Sequence, residues 1–124
     1  MTLTKGTRLK AGTASTDITP ENGRTFQGYV RPDIRASGVA QRVRAHALVL
    51  HSSEIRIALI SADLLCGFEK DELLKQLRSL GFERRNVLYA GTHTHAATFA
   101  GSWTIDQIAR AVKKADEKKV PARA

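Results

Sequence analysis

The side chains that could do chemistry in this 124-residue sequence are few: four histidines, one cysteine and a scatter of carboxylates. His93 and His95 stand apart, separated by one residue in the run NVLYAGTHTHAA (86–97). In an extended chain, residues two apart point to the same side. His-Thr-His at a strand end therefore aims two imidazoles, roughly 6–7 Å apart along the backbone, at one metal ion. The other reading is a pair of turn histidines hydrogen-bonded to backbone. A catalytic zinc takes three protein ligands and a water, and this pair supplies two at most. Asp63 is the best-placed additional carboxylate. It could be a ligand, a partner that fixes an imidazole tautomer, or a cap on the turn before the next helix. Cys66 reads as a buried, inert thiol, because no basic neighbour in sequence would lower its pKa. His46 falls on the polar face of a strand and His51 in a hairpin link, positions that suit surface or structural roles.

These residues need a scaffold. Residues 42–50 alternate, with Val43, Ala45, Ala47 and Val49 on one face and Arg42, Arg44 and His46 on the other. A short link leads to IRIALISA (55–62), and the two runs make a hairpin. The nearly continuous apolar run of the second strand implies cover on both of its faces. A helix follows over 69–80. Leu73, Leu74, Leu77 and Leu80 form its stripe, acidic residues fill its first turn, and Gly81 stops it. The strand 86–92 comes next, so 55–92 form a βαβ unit with parallel strands. Their C-terminal ends bring Asp63 beside His93 and His95, at the edge where open α/β sheets bind ligands.

A last helix over 105–118 places Ile105, Ile108, Ala109 and Val112 on one face. Thr104 and Gln107 fit a capping box, and Trp103 with Ile108 fits a hydrophobic staple. Pro121 breaks the chain after it. Upstream, 9–18 reads as a strand with a bulge at Gly12. Residues 24–41 read as a structured loop whose Phe26, Tyr29 and Val30 need burial. The fold class is α/β: a small mixed β-sheet with a β-hairpin feeding a βαβ unit and a C-terminal covering helix, in one domain over 1–124.

Composition narrows the function. With 42% hydrophobic and 26% charged residues the chain is globular and can bury a core unaided. A lone cysteine makes no internal disulfide. No apolar run reaches the length of a membrane helix. MTLTKGTRLKAG has no apolar h-region, so a cytoplasmic location is the default expectation. The formal net charge of +8 raises the question of a polyanionic partner. The basic residues are scattered, however, and aromatics are 6% without interleaving, so no nucleic-acid partner is expected. Peripheral contact with an anionic membrane stays open. On residues alone, a small metal-binding module or a basic interaction module without catalysis is the alternative to an enzyme.

The order of motifs adds to this. ASTDITP (14–20), QGYVRP (27–32), ASGVAQRVRAHALVL (36–50), ISADLL (60–65), NVLYAGTHTH (86–95) and IARAVKKA (108–115) through PAR (121–123) run colinearly along nearly the whole chain. In this order they resemble the N-terminal part of neutral/alkaline non-lysosomal ceramidases. The resemblance implies a zinc-dependent amidase that hydrolyses the N-acyl bond of ceramide or a related N-acyl lipid. It implies that His93 ligates the zinc, that His95 assists at the reacting centre, and that the segment around Gly28 and Tyr29 lines the substrate site. It further implies that the other zinc ligands, a His, a Glu and a Tyr, belong to polypeptide beyond residue 124. The chain alone is then expected to be truncated and inactive, needing the rest of a catalytic domain or a second copy. It also implies a family that is often secreted.

Overall fold

The computed structural model describes residues 8–20, 35–97 and 100–123. In chain order these form β1 (Lys10–Asp17), β2 (Arg44–His51), β3 (Arg56–Ala62), α1 (Lys70–Leu77), β4 (Val87–Gly91), α2 (Ser102–Glu117) and β5 (Val120–Pro121). The five strands make one sheet in the order β4-β3-β2-β1-β5. β3 and β4 are parallel and the other pairs antiparallel. The hairpin, the βαβ unit and the covering helix are all present.

Alternation decides which face is buried. Ala45, Ala47 and Val49 of β2 and Ala58, Ile60 and Ala62 of β3 turn toward the helices. There they join Leu73, Leu74 and Leu77 of α1 and Ile105, Ile108, Ala109, Val112 and Ala115 of α2 in one core. The small alanines on the sheet let α2 lie close to it. Helix α1 ends as its glycine requires. A 3₁₀ turn over Arg78–Leu80 leads to Gly81 at φ 84°, whose N–H returns to the Arg78 carbonyl (3.0 Å). That reversal drops Phe82 into the core at 1% exposure.

Four expectations give way. β3 is covered on one face only, since Leu59 stands exposed between buried Ala58 and Ile60. Its apolar run reflects a row that crosses three strands, Leu48, Leu59 and Leu88, on the open side of the sheet. Gly12 makes no bulge; it pairs in register with Val49. Its role is clearance, because a Cβ there would sit 2.0 Å from the Ala115 carbonyl oxygen of α2. Residues 120–121 are a strand, β5, which pairs with Lys10 and Ala11 at the sheet edge, where a proline is tolerated. α2 begins at Ser102, so Thr104 is its third residue and its hydroxyl accepts from Gly101 N–H (3.4 Å), while Trp103 is exposed.

A charged cluster fastens the end of α2 to the sheet. Lys119 Nζ donates to Asp116 Oδ1 (2.6 Å) and to His51 Nδ1 (3.2 Å), and Arg56 Nη2 donates to the same Asp116 oxygen (2.8 Å). An ammonium has only protons to give, so His51 accepts and is neutral there. Burial first, then the Lys119 and Arg56 charges, hold its pKa below the ordinary 6.5.

Two predictions follow from this packing. Gly12→Ala lowers the unfolding free energy by about 2 kcal/mol or more, as overpacking against rigid backbone does. Gly38→Ala, with nothing within 4 Å of its Cβ, stays within about 0.5 kcal/mol; urea denaturation separates them. For His51 the unfolded ring takes up a proton at higher pH than the folded one. Its contribution is therefore complete above pH 6.5 and is lost as pH falls through the lowered pKa. Thermal melts across that range should show a steeper loss for the native chain than for His51→Gln.

Candidate functional site

The parallel pairing of β3 and β4 carries Ala62 and Gly91 to the same edge, opposite each other in register. Beyond Ala62 the chain becomes a strap, residues 62–66, that lies across the end of β4. Four successive or near-successive carbonyls of the strap are used. Ala62 O accepts from Thr92 N–H (2.9 Å), and Leu64 O from His93 N–H (3.0 Å). Leu65 O lies 2.9 Å from His93 Nδ1, and Cys66 O accepts from the Tyr89 hydroxyl (3.2 Å). Tyr89 also stacks edge-on against Phe68, centroids 4.8 Å apart. Burial pushes its phenol pKa up to about 12, so the hydroxyl stays a donor.

The strap passes so close that position 91 must be glycine. A Cβ there would lie 2.9 Å from the Leu64 carbonyl oxygen. Two residues on, His93 takes φ 66°. The expected extended His-Thr-His is therefore replaced by a reversal at its first residue. Left-handed backbone costs an L-residue roughly 1–2 kcal/mol, and here it lets the amide and the ring of His93 reach adjacent carbonyls. The two imidazoles still converge, with centroids 5.3 Å apart and planes at 76°, and both residues are exposed.

The contact to Leu65 shows which nitrogen of His93 carries a proton. A carbonyl only accepts, so Nδ1 carries the proton, and in the neutral ring Nε2 keeps its lone pair for another partner. Metal-binding histidines are characteristically held this way, by a backbone carbonyl on the far nitrogen. Among the described residues no three His, Cys, Asp or Glu side chains gather as a metal cluster.

Asp63 is in the same place and is engaged. Its Oδ2 accepts from Arg44 N–H (2.8 Å), its Oδ1 from the Thr92 hydroxyl (3.2 Å), and its own N–H returns to Arg44 O (2.9 Å). It ties the start of β2 to the ends of β3 and β4. Beside it a cleft of about 490 Å³ opens between the 36–43 segment and the histidine turn, with Val39, Arg42, Val43, Asp63, Thr94 and Ala96 among its lining. Cys66 is exposed where burial was expected, because the strap runs over the sheet edge. His46 lies away from the turn, on the open sheet face, with Nδ1 2.6 Å from Ser15 Oγ. Gly28 and Tyr29 lie outside the described residues. Sequence reasoning passed over Thr92 and Tyr89; the glycine at 91, unexplained by a strand, was the available signal.

These features define an α/β domain with a histidine turn at the carboxyl edge of its parallel strands. The family model for neutral/alkaline non-lysosomal ceramidase, N-terminal, matches residues 9–118, and the chain belongs to that family. A neutral ceramidase of Mycobacterium tuberculosis (strain ATCC 25618 / H37Rv) is 33% identical over 98 residues, covering 71% of this chain and 15% of that protein. The crystal structure of neutral ceramidase from Pseudomonas aeruginosa superposes with a TM-score of 0.82 at 22% identity, over 94% of this chain and 23% of that one. The chain thus spans less than a quarter of either relative.

Gly91→Ala tests the strap. The Leu64 carbonyl has to move, so the variant should lose about 1–2 kcal/mol of stability and the His93 Nδ1–H signal in proton NMR. Retention of that signal at wild-type intensity would show that the close approach is incidental.

Proposed function

We propose that this chain is the N-terminal part of a ceramidase-type zinc amidohydrolase acting on the N-acyl amide bond of ceramide or a related N-acyl lipid. The observation that carries the reading is the 2.9 Å contact of His93 Nδ1 with Leu65 O, which makes Nε2 the nitrogen a metal would take. In this reading His93 holds the zinc, which would polarise the amide carbonyl and acidify a water. His95, its ring 5.3 Å from that of His93, is close enough to handle a proton at the reacting amide, giving it to the amine as the C–N bond breaks. The acyl or base portion would enter through the cleft beside Asp63 and Thr94, with Gly28 and Tyr29 contributing to the lining.

A catalytic zinc takes three protein ligands, and His93 and His95 offer two imidazoles at most. In this reading the remaining donors come from the rest of a catalytic domain or from a second copy. The reading makes the isolated chain a weak zinc binder without useful turnover.

Zinc titration by calorimetry tests this directly. His93→Ala should weaken zinc binding by tenfold or more, whereas His46→Ala should leave it unchanged. Equal affinity in wild type and His93→Ala would remove the turn from the proposal. Brisk hydrolysis of an N-acyl sphingosine by the isolated chain would overturn the claim that it is incomplete.

A further inference from the structure

His93 is held in a backbone conformation that L-residues avoid, so something other than its own preference must determine it. Two strap carbonyls hold its amide and its ring, and a third, Ala62 O, holds the N–H of the residue before it, Thr92, at 2.9 Å. The Thr92 side chain is held from the other direction, its hydroxyl donating to Asp63 Oδ1 at 3.2 Å.

Asp63 is suited to this by its other bonds. Its second oxygen accepts from Arg44 N–H at 2.8 Å and its N–H donates to Arg44 O at 2.9 Å. The carboxylate is thus locked to β2 on one side and grips β4 on the other. β2 is in turn pinned along its whole length between β1 and β3. A rigid anchor, a short side chain and one hydroxyl lead to the turn. Both carboxylate oxygens are engaged by protein donors on two different strands, which is the geometry of a brace.

We propose that Asp63 is a positioning residue for His93, acting through the Thr92 hydroxyl to set the direction from which the imidazole is presented. The proposal takes its functional meaning from the zinc reading above and deepens it: the placement of the zinc-facing nitrogen depends on a strand-to-strand clamp that touches neither zinc nor substrate.

Substitutions separate a brace from a ligand. Asp63→Asn keeps the clamp, because its carbonyl can accept from Arg44 N–H and its amide can donate to a rotated Thr92 hydroxyl. Asp63→Ala removes the clamp, and Thr92→Val removes the hydroxyl at constant shape; Thr92→Ser restores it. Two readouts are needed: the His93 Nδ1–H resonance in proton NMR at fixed pH, and zinc affinity by calorimetry. Asp63→Ala and Thr92→Val should each lose the resonance and weaken zinc binding by roughly tenfold, the range for partners behind a metal ligand. Asp63→Asn and Thr92→Ser should resemble the native chain, and the double variant Asp63→Ala/Thr92→Val should be no worse than either single one. Asp63→Asn as damaging to zinc binding as Asp63→Ala, with the resonance intact in both, would make Asp63 a ligand and overturn the proposal. Thr92→Val indistinguishable from the native chain would overturn it too, without depending on whether Asp63→Ala folds. If the native chain binds no zinc yet the resonance follows the predicted pattern, the zinc reading fails and the clamp stands.

Discussion

The parallel ladder between β3 and β4 is the constraint on which the site depends. Parallel neighbours end on the same edge, so the chain leaving β3 has to cross the end of β4 on its way to α1. It crosses at hydrogen-bonding distance, and its carbonyls have no ladder partners of their own there. Backbone groups in that position must be satisfied or solvated. Here Thr92, His93 and Tyr89 satisfy them. The geometry of the histidine turn is thus a consequence of how a βαβ crossover disposes of its carbonyls, and the imidazole proton is part of that settlement.

The other end of the sheet shows a different solution to closing the domain. α2 returns over β1 and β2, and its last turn is fastened by Lys119, Asp116, Arg56 and His51. A single carboxylate oxygen faces two cations, and a neutral imidazole accepts a second hydrogen bond from the ammonium. Immediately after Lys119 the chain enters β5, a strand of two residues that could not hold its place by its own two pairings. The cluster supplies the position and the ladder only the register. The helices, meanwhile, cover one side of the sheet, leaving Leu59, Leu88 and Val120 facing out on the other.

Much of this was legible in the residues. The alternation of Val43, Ala45, Ala47 and Val49 marks β2, the leucine stripe with Gly81 marks α1, and the glycine does take the left-handed conformation that stopping a helix calls for. These are local signals, written in side-chain period and turn chemistry. β5 was not legible, because two residues carry no period and their pairing is with a strand more than a hundred positions earlier. The one-sided burial of β3 was misread for a related reason. An apolar run says that both faces are apolar, and it does not say that both are covered. The motif order pointed to the family, and His93 with it. The backbone reversal at His93 could not be read there, since it arises from carbonyls contributed by residues 64 and 65.

Positions 91 and 93 show how closely the strap is fitted to the turn. At 91 the backbone angle is ordinary but the space is not, and only a residue without Cβ lets the Leu64 carbonyl come in. At 93 the backbone angle is the one glycine favours, yet a glycine there would give up the Leu65 contact. Histidine is among the residues that tolerate the left-handed region better than most, and its ring bond to Leu65 offsets part of a strain on the order of 1–2 kcal/mol. An asparagine would tolerate the angle but has a shorter side chain and no ring nitrogen to leave facing outward. The two requirements, a left-handed residue and an imidazole with its outer nitrogen free, meet in one side chain. This accounts physically for why the strained residue of the turn is also the one whose imidazole is fixed by a backbone carbonyl.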